Sequence, residues 1–198
     1  MRVIKPGEKI SKHELKYFAK MAGEAYVNDP VHSYATKKAE RRKKFVAHFM
    51  MCRLNASNGE DYIYIDDENR GICVWRRAHN EYKFSDFLKC PSWVYLWWFW
   101  PNTLRTLMAY SKLDVKKFDG KTWIISPVFV SPEHQGKGIA TELIKKGIED
   151  LSAEGFHFGL EAQDDDNVNF YKKLGFKITD SDYYKRGDIH HYYMVYGD

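Results

Sequence analysis

The chain has 198 residues, 44% of them hydrophobic and 29% charged, which fits a single soluble globular domain over 1–198. A formal net charge of +4 without a basic tail gives no reason to expect a nucleic-acid partner, and suits a small anionic ligand. Three cysteines without a Cys-x-x-Cys exclude a disulfide framework and a zinc ribbon; with no apolar leader and no apolar run near the ~20 residues of a spanning helix, the expectation is a cytoplasmic protein with no membrane span.

Ser11 to Glu14 form a capping box, and Leu15, Phe18, Ala19, Ala22 and Tyr26 follow at helical spacing. Asn28-Asp29-Pro30 ends that helix, because proline disfavours helix at the residue before it. A second helix is expected from about Thr36 to Leu54, with Phe45, His48, Phe49 and Cys52 as its apolar stripe. The basic cluster at 37–44 belongs to it and reads as a solvated helix face, with a nucleic-acid patch as the rival reading. A hairpin follows, with strands Tyr62 to Ile65 and Ile72 to Trp75 around the turn at 66–71.

Residues 84–118 read as helical pieces interrupted by Pro91 and Pro101. Within them Trp93, Tyr95, Trp97, Trp98, Phe99 and Trp100 crowd into eight positions. A core helix is the ordinary reading, and a wall over a bound substrate is the functional one. A membrane-interface contact or a homodimer surface would use the same side chains. Lys121 to Val130 is a strand whose Pro127 implies a bulge or a splayed edge. An amphipathic helix over 136–154, a strand at Phe156 to Ala162, a helix at Asn167 to Leu174 capped by Gly175, and strands at Phe176 to Thr179 and His191 to Tyr196 complete the chain.

The informative stretch runs from Val128 to Thr141: a strand, a turn bearing Gln135, Gly136, Lys137 and Gly138, then the helix start at Ile139, Ala140 and Thr141. Amides at a helix start lack intrahelical partners and carry partial positive charge. Glycines let a ligand approach them, so the turn is suited to a pyrophosphate. The sequence is neither a P-loop nor a dinucleotide fingerprint, since it lacks Gly-Lys-Ser/Thr and the third glycine.

Gln135-Gly-Lys-Gly138-Ile-Ala140 fits the Gln/Arg-x-x-Gly-x-Gly/Ala motif of the GNAT superfamily of N-acetyltransferases, and the chain resembles that family here. A second block, Leu160-Glu161-Ala162-Gln163 followed by Asn167-Val168-Asn169-Phe170-Tyr171-Lys172-Lys173-Leu174-Gly175-Phe176, looks like the strand, helix and Tyr-x-x-Leu-Gly-Phe signature of the same family. Its form is similar to the branch that contains puromycin N-acetyltransferase. The two blocks cover 121–179.

The resemblance implies an α+β fold with a mixed, mainly antiparallel, splayed sheet and helices on both faces. It implies acetyl-CoA as cosubstrate and direct acetyl transfer to a primary amine of a small molecule. Val128, Phe129 and Val130 would meet the pantetheine arm, and the Val130 N–H would stabilise the oxyanion. Gln135 to Thr141 would hold the pyrophosphate, Asn167 would bond pantetheine, and Tyr171 would protonate the departing thiolate. Glu161 is a candidate general base, with a solvent-exposed or ion-paired strand glutamate as its ordinary reading; His190 or His191 is a lesser candidate. The histidines show no metal-ligand spacing, so no metal is expected. Asp164, Asp165 and Asp166 lack the remainder of a calcium loop and read as an acidic helix start. A peptide or lysine acceptor, another acyl group, and a CoA-binding module without turnover remain as alternatives.

Overall fold

The computed structural model describes residues 1–78, 89–110, 117–152 and 155–197. The helical pieces expected over 84–88 and 111–116 lie outside them. Among the described residues, seven strands form one sheet in the order β1-β2-β3-β4-β5-β7-β6: β1 Arg2–Ile4, β2 Tyr62–Ile65, β3 Gly71–Arg77, β4 Thr122–Val130, β5 His157–Ala162, β6 Phe176–Tyr184 and β7 Ile189–Tyr196. All neighbours are antiparallel except β4 and β5. The α+β, mainly antiparallel architecture is therefore the one expected.

Helix α1 (Lys12–Ala25) starts as the capping box predicts: Ser11 Oγ accepts the Glu14 N–H at 3.2 Å, and the Glu14 carboxylate accepts the Ser11 N–H at 2.8 Å. Pro30 ends one helix and opens another. It occupies the first turn of α2 (Pro30–Ala35), where a missing N–H costs nothing, and Asp29 caps that helix by accepting the His32 N–H at 3.0 Å. This short helix was not expected. Helix α3 (Ala39–Ser57) extends into the loop expected at 55–59. Pro101 likewise does not break a helix but sits in the first turn of α5 (Trp100–Tyr110), after α4 (Trp93–Trp98).

Alternation along the strands divides the core. Ile63, Ile65, Ile72 and Val74 bury against α1 and α3. Tyr64, Cys73 and Trp75 bury on the other face against α6 (Ile139–Leu151) and α7 (Asp165–Lys173). Gly147 is what lets α6 lie this close: a Cβ there would stand 2.0 Å from Trp75 Nε1. Burial on both faces explains why β2 and β3 read as continuous apolar runs.

Two irregularities in β4 position the site. The β3–β4 register shifts between Cys73 and Trp75, opposite Ser126 and Pro127, which is the bulge expected from that proline. The β4–β5 pairing covers only Thr122↔His157, Trp123↔Phe158 and Ile124↔Gly159. Beyond Ile124 the two strands separate, and a gap opens through the sheet.

Candidate active site

Gly71 faces Val130 across the β3–β4 ladder, and Ser131 N–H donates to the Arg70 carbonyl at 2.8 Å. In an antiparallel pair this turns the N–H and C=O of Phe129 toward β3, and those of Val128 and Val130 toward the gap. Two of these groups are already engaged. The Tyr26 hydroxyl donates to the Val128 carbonyl at 2.7 Å, and Gln135 Nε2 donates to the Val130 carbonyl at 3.2 Å. The N–H groups of Val128 and Val130 face a cleft of about 940 Å³.

At one end of this cleft the chain turns through Pro132–His134 into α6. Gly136 and Gly138 take φ of +74° and +85°, which L side chains rarely adopt, and a Cβ on either would meet nothing within 4 Å. The glycines thus serve the backbone path, and the space beside them is open. The first intrahelical amide bond is Glu142 N–H to Gly138 C=O, leaving the N–H groups of Ile139, Ala140 and Thr141 without helical partners. Val128, Phe129, Val130, Gln135, Gly136, Gly138, Ile139, Ala140, Thr141, Asn167 and Tyr171 all line the cleft. Lys137 is exposed and lies off the lining.

A second space of about 120 Å³ lies where β4 and β5 part, sharing Tyr26, Asp29, Val128, Asn167 and Tyr171 with the cleft. Tyr171 is 8% exposed; burial, then the neighbouring Tyr26, Cys73 and Asp164, push its phenol well above the usual range. It stays protonated at any physiological pH. Glu161 lines the smaller space, and its Oε1 is sealed without a hydrogen-bond partner. The ordinary reading of an ion-paired strand glutamate therefore fails. Burial raises its carboxyl to about 7, with the charges of Arg53, Arg76 and Lys117 only partly opposing. Asn167 is exposed, with its side-chain amide donating to Asp164 and its N–H capped by the same carboxylate at 2.8 Å. Asp164 is the helix cap and Asp165 and Asp166 its first turn, as expected.

Two expectations need correction. The aromatic segment does not wall the cleft: of α4 and α5 only Tyr110 lines either space, and Trp97 and Trp98 are 65% and 82% exposed. Nor is it a core helix, since Leu96 alone is buried in α4; the segment leans on α3 through Tyr95, which stacks on His48 at 3.7 Å. The histidine pair is also misplaced for a base. His190 is exposed, His191 is fully buried, and neither lines the site.

Sequence reasoning missed Tyr26, Asp29, Arg53 and Tyr110, which complete the smaller space. One signal was available: Val46, Met50 and Ser57 form a buried stripe along α3, and Arg53 continues it at helical spacing. A guanidinium on a buried stripe calls for a partner or a ligand.

A splayed strand pair, with a glycine-started helix at one end of the gap and a tyrosine at the other, is the arrangement the family resemblance implies. Residues 28–176 match the acetyltransferase (GNAT) family. The chain belongs to that family. Over 70 residues it is 33% identical to the L-amino acid N-acyltransferase MnaT of Escherichia coli (strain K12), covering 33% of this chain and 41% of that protein. The chain thus matches about two-fifths of that curated relative's length. Likeness of fold extends much further. An N-acetyltransferase from Staphylococcus aureus Mu50 superposes with a TM-score of 0.62 at 12% identity, covering 98% of this chain and 100% of that one. The PaiA N-acetyltransferase of Thermoplasma acidophilum, crystallised in complex with coenzyme A, gives 0.55 at 13% identity over 100% of both chains. Among the described residues no group of His, Cys, Asp and Glu is placed to hold a metal ion, and no helix is long and apolar enough to cross a membrane.

Proposed function

We propose that this chain is an acyl-CoA-dependent N-acyltransferase that moves an acetyl group from acetyl-CoA to a primary amine of a small molecule, by direct attack in a ternary complex. The carrying observation is the gap between β4 and β5. It joins a cleft floored by free main-chain amides to a small space holding Glu161, with Tyr171 facing both.

Acetyl-CoA supplies the acyl thioester. The amides of Ile139, Ala140 and Thr141, with the turn through Gly136 and Gly138, suit its pyrophosphate, and the open space beside those glycines leaves the approach clear. The inward N–H groups of Val128 and Val130 suit the pantetheine arm and the thioester oxygen, where negative charge develops. Glu161 takes the proton that the amine nitrogen must lose, since a carboxyl near 7 is a competent base at neutral pH. The C–N bond forms, the C–S bond breaks, and Tyr171 returns a proton to the sulfur. Holding both reactants across the gap supplies much of the rate, and no acyl-enzyme is required. Three buried free cysteines suit a reducing compartment, and we place the enzyme in the cytoplasm on that ground.

The test is CoA release from acetyl-CoA in the presence of a panel of small primary amines. Release that depends on the amine supports transfer; CoA binding without release would make the chain a binding module instead. Tyr171→Phe should lower kcat about 100-fold while leaving CoA affinity nearly unaltered. Equal turnover would remove Tyr171 from the acid role.

A further inference from the structure

The smaller space contains charges that the transfer reading does not use. Arg53 reaches it from α3, and β4 supplies the facing wall. The Arg53 guanidinium donates to Ser126 Oγ, which fixes it against that wall, and among the described residues it makes no ion pair. Glu161 stands in the same space with a sealed, unpartnered Oε1, and no hydrogen bond or ion pair among the described residues joins it to Arg53. Asp29, also on the lining, spends one carboxylate oxygen on the His32 N–H. The remaining polar lining carries no formal charge: the phenols Tyr26, Tyr110 and Tyr171 and the amides Gln163 and Asn167.

A half-buried guanidinium without an anion loses hydration and gains little in return. Its fork of donors matches a carboxylate in particular. Across the space, Glu161 is the group suited to an amine. An acceptor that carries an amine and an anion a few bonds apart would satisfy both ends of the space, and about 120 Å³ admits a compact head group of that kind.

We propose that Arg53 binds the carboxylate of the acceptor, and that the acceptors are amines bearing a nearby carboxylate, α-amino acids being the simplest class. The proposal rests on the transfer reading above and adds to it the identity of the second functional group. Arg53 is a specificity-determining residue here, since the reacting atoms are the amine and the thioester. The apolar Met50, Ile124, Ile125 and Ala162 around the two charges suit an aliphatic side chain on that acceptor.

The experiment measures CoA release with L-alanine, L-leucine and L-phenylalanine, each beside its amide and its decarboxylated amine. The unaltered enzyme should prefer the free acid by on the order of 100-fold in kcat/KM. Arg53→Gln retains a donor for Ser126 and removes the charge. It should bring the acid-to-amide ratio close to one, chiefly by raising KM for the acid, and Arg53→Lys should restore part of the ratio. Thermal stabilisation by CoA, retained in both variants, shows that they fold. Amides turned over as well as acids by the unaltered enzyme would overturn the carboxylate assignment and leave acyl transfer standing. The same follows if Arg53→Gln preserves the preference for the acid. No CoA release with any of the nine compounds or any other amine would overturn the transfer reading, and this assignment with it.

Discussion

The two spaces on either side of the strand gap are built in opposite ways. The large cleft is a product of main chain: β4 amides turned inward by register, glycines at positive φ, and a helix start without partners. The small space is a product of side chains delivered by five separate elements or their ends: Tyr26 after α1, Arg53 from α3, Tyr110 from α5, Glu161 from β5 and Tyr171 from α7. A main-chain site tolerates change in most of its side chains and fails at its glycines. A side-chain site can be retuned one residue at a time, which is how one fold comes to serve many acceptors.

The strongest blow to the cleft should come from Gly138→Asp. It forces a side chain into φ +85° and sets a carboxylate at the helix start where phosphate would bind. CoA affinity should fall by at least about 100-fold, and thermal stabilisation by CoA should vanish. Undiminished affinity, measured by calorimetry, would refute the cradle.

Next comes Glu161→Gln, which attacks the small space alone. Turnover should drop by about 100-fold or more, with CoA affinity kept. In the unaltered enzyme kcat/KM should rise with pH through a value near 7, and the variant should lose that limb. The groups around Glu161 that shape this titration are Arg53, Arg76 and Lys117, with Asp29 on the same lining. Stability carries the same signature. The folded carboxyl titrates at about 7 against an ordinary glutamate value of 4.5, so the folded state binds more protons between those values. The unaltered protein should lose stability as pH rises from 4.5 through 7, by on the order of 3 kcal/mol at pH 8, and Glu161→Gln should flatten that slope. Parallel melting curves for both proteins at pH 5 and pH 8 would count against a buried, unpaired carboxylate.

The smallest effect probes the border. Tyr26→Phe frees the Val128 carbonyl and should cost about 1 kcal/mol of stability. It should change KM for both substrates modestly, because Tyr26 lines both spaces. An effect confined to one substrate would assign Tyr26 to one side.

The same contrast governs what the sequence made legible. The turn from Gln135 to Thr141 and the run to Phe176 are contiguous, so their glycines, caps and spacings could be read directly; of the site residues read there all but Lys137 and Glu161 line the cleft, and Glu161 lines the smaller space. Tyr26, Arg53 and Tyr110 come from distant parts of the chain, and only folding brings them together. Short elements were missed for a simpler reason. Three residues in β1 and six in α2 are too few to show a period. The tryptophans of α4 were misjudged because their spacing suits burial, whereas Trp97 and Trp98 face outward.

The β4–β5 seam, closed over three residue pairs, has a mechanical consequence. On one side lie β1 to β4; on the other, β5, β7 and β6. This short stitch is the sheet's sole ladder between them among the described residues. An extended molecule laid along the inward amides of β4 replaces the strand that is missing there. A chain that binds such a molecule only when folded gains resistance to unfolding that rises with the logarithm of the ligand concentration. If acetyl-CoA binds as proposed, its pantetheine arm is then as much a splint for the sheet as a tether for the reacting group.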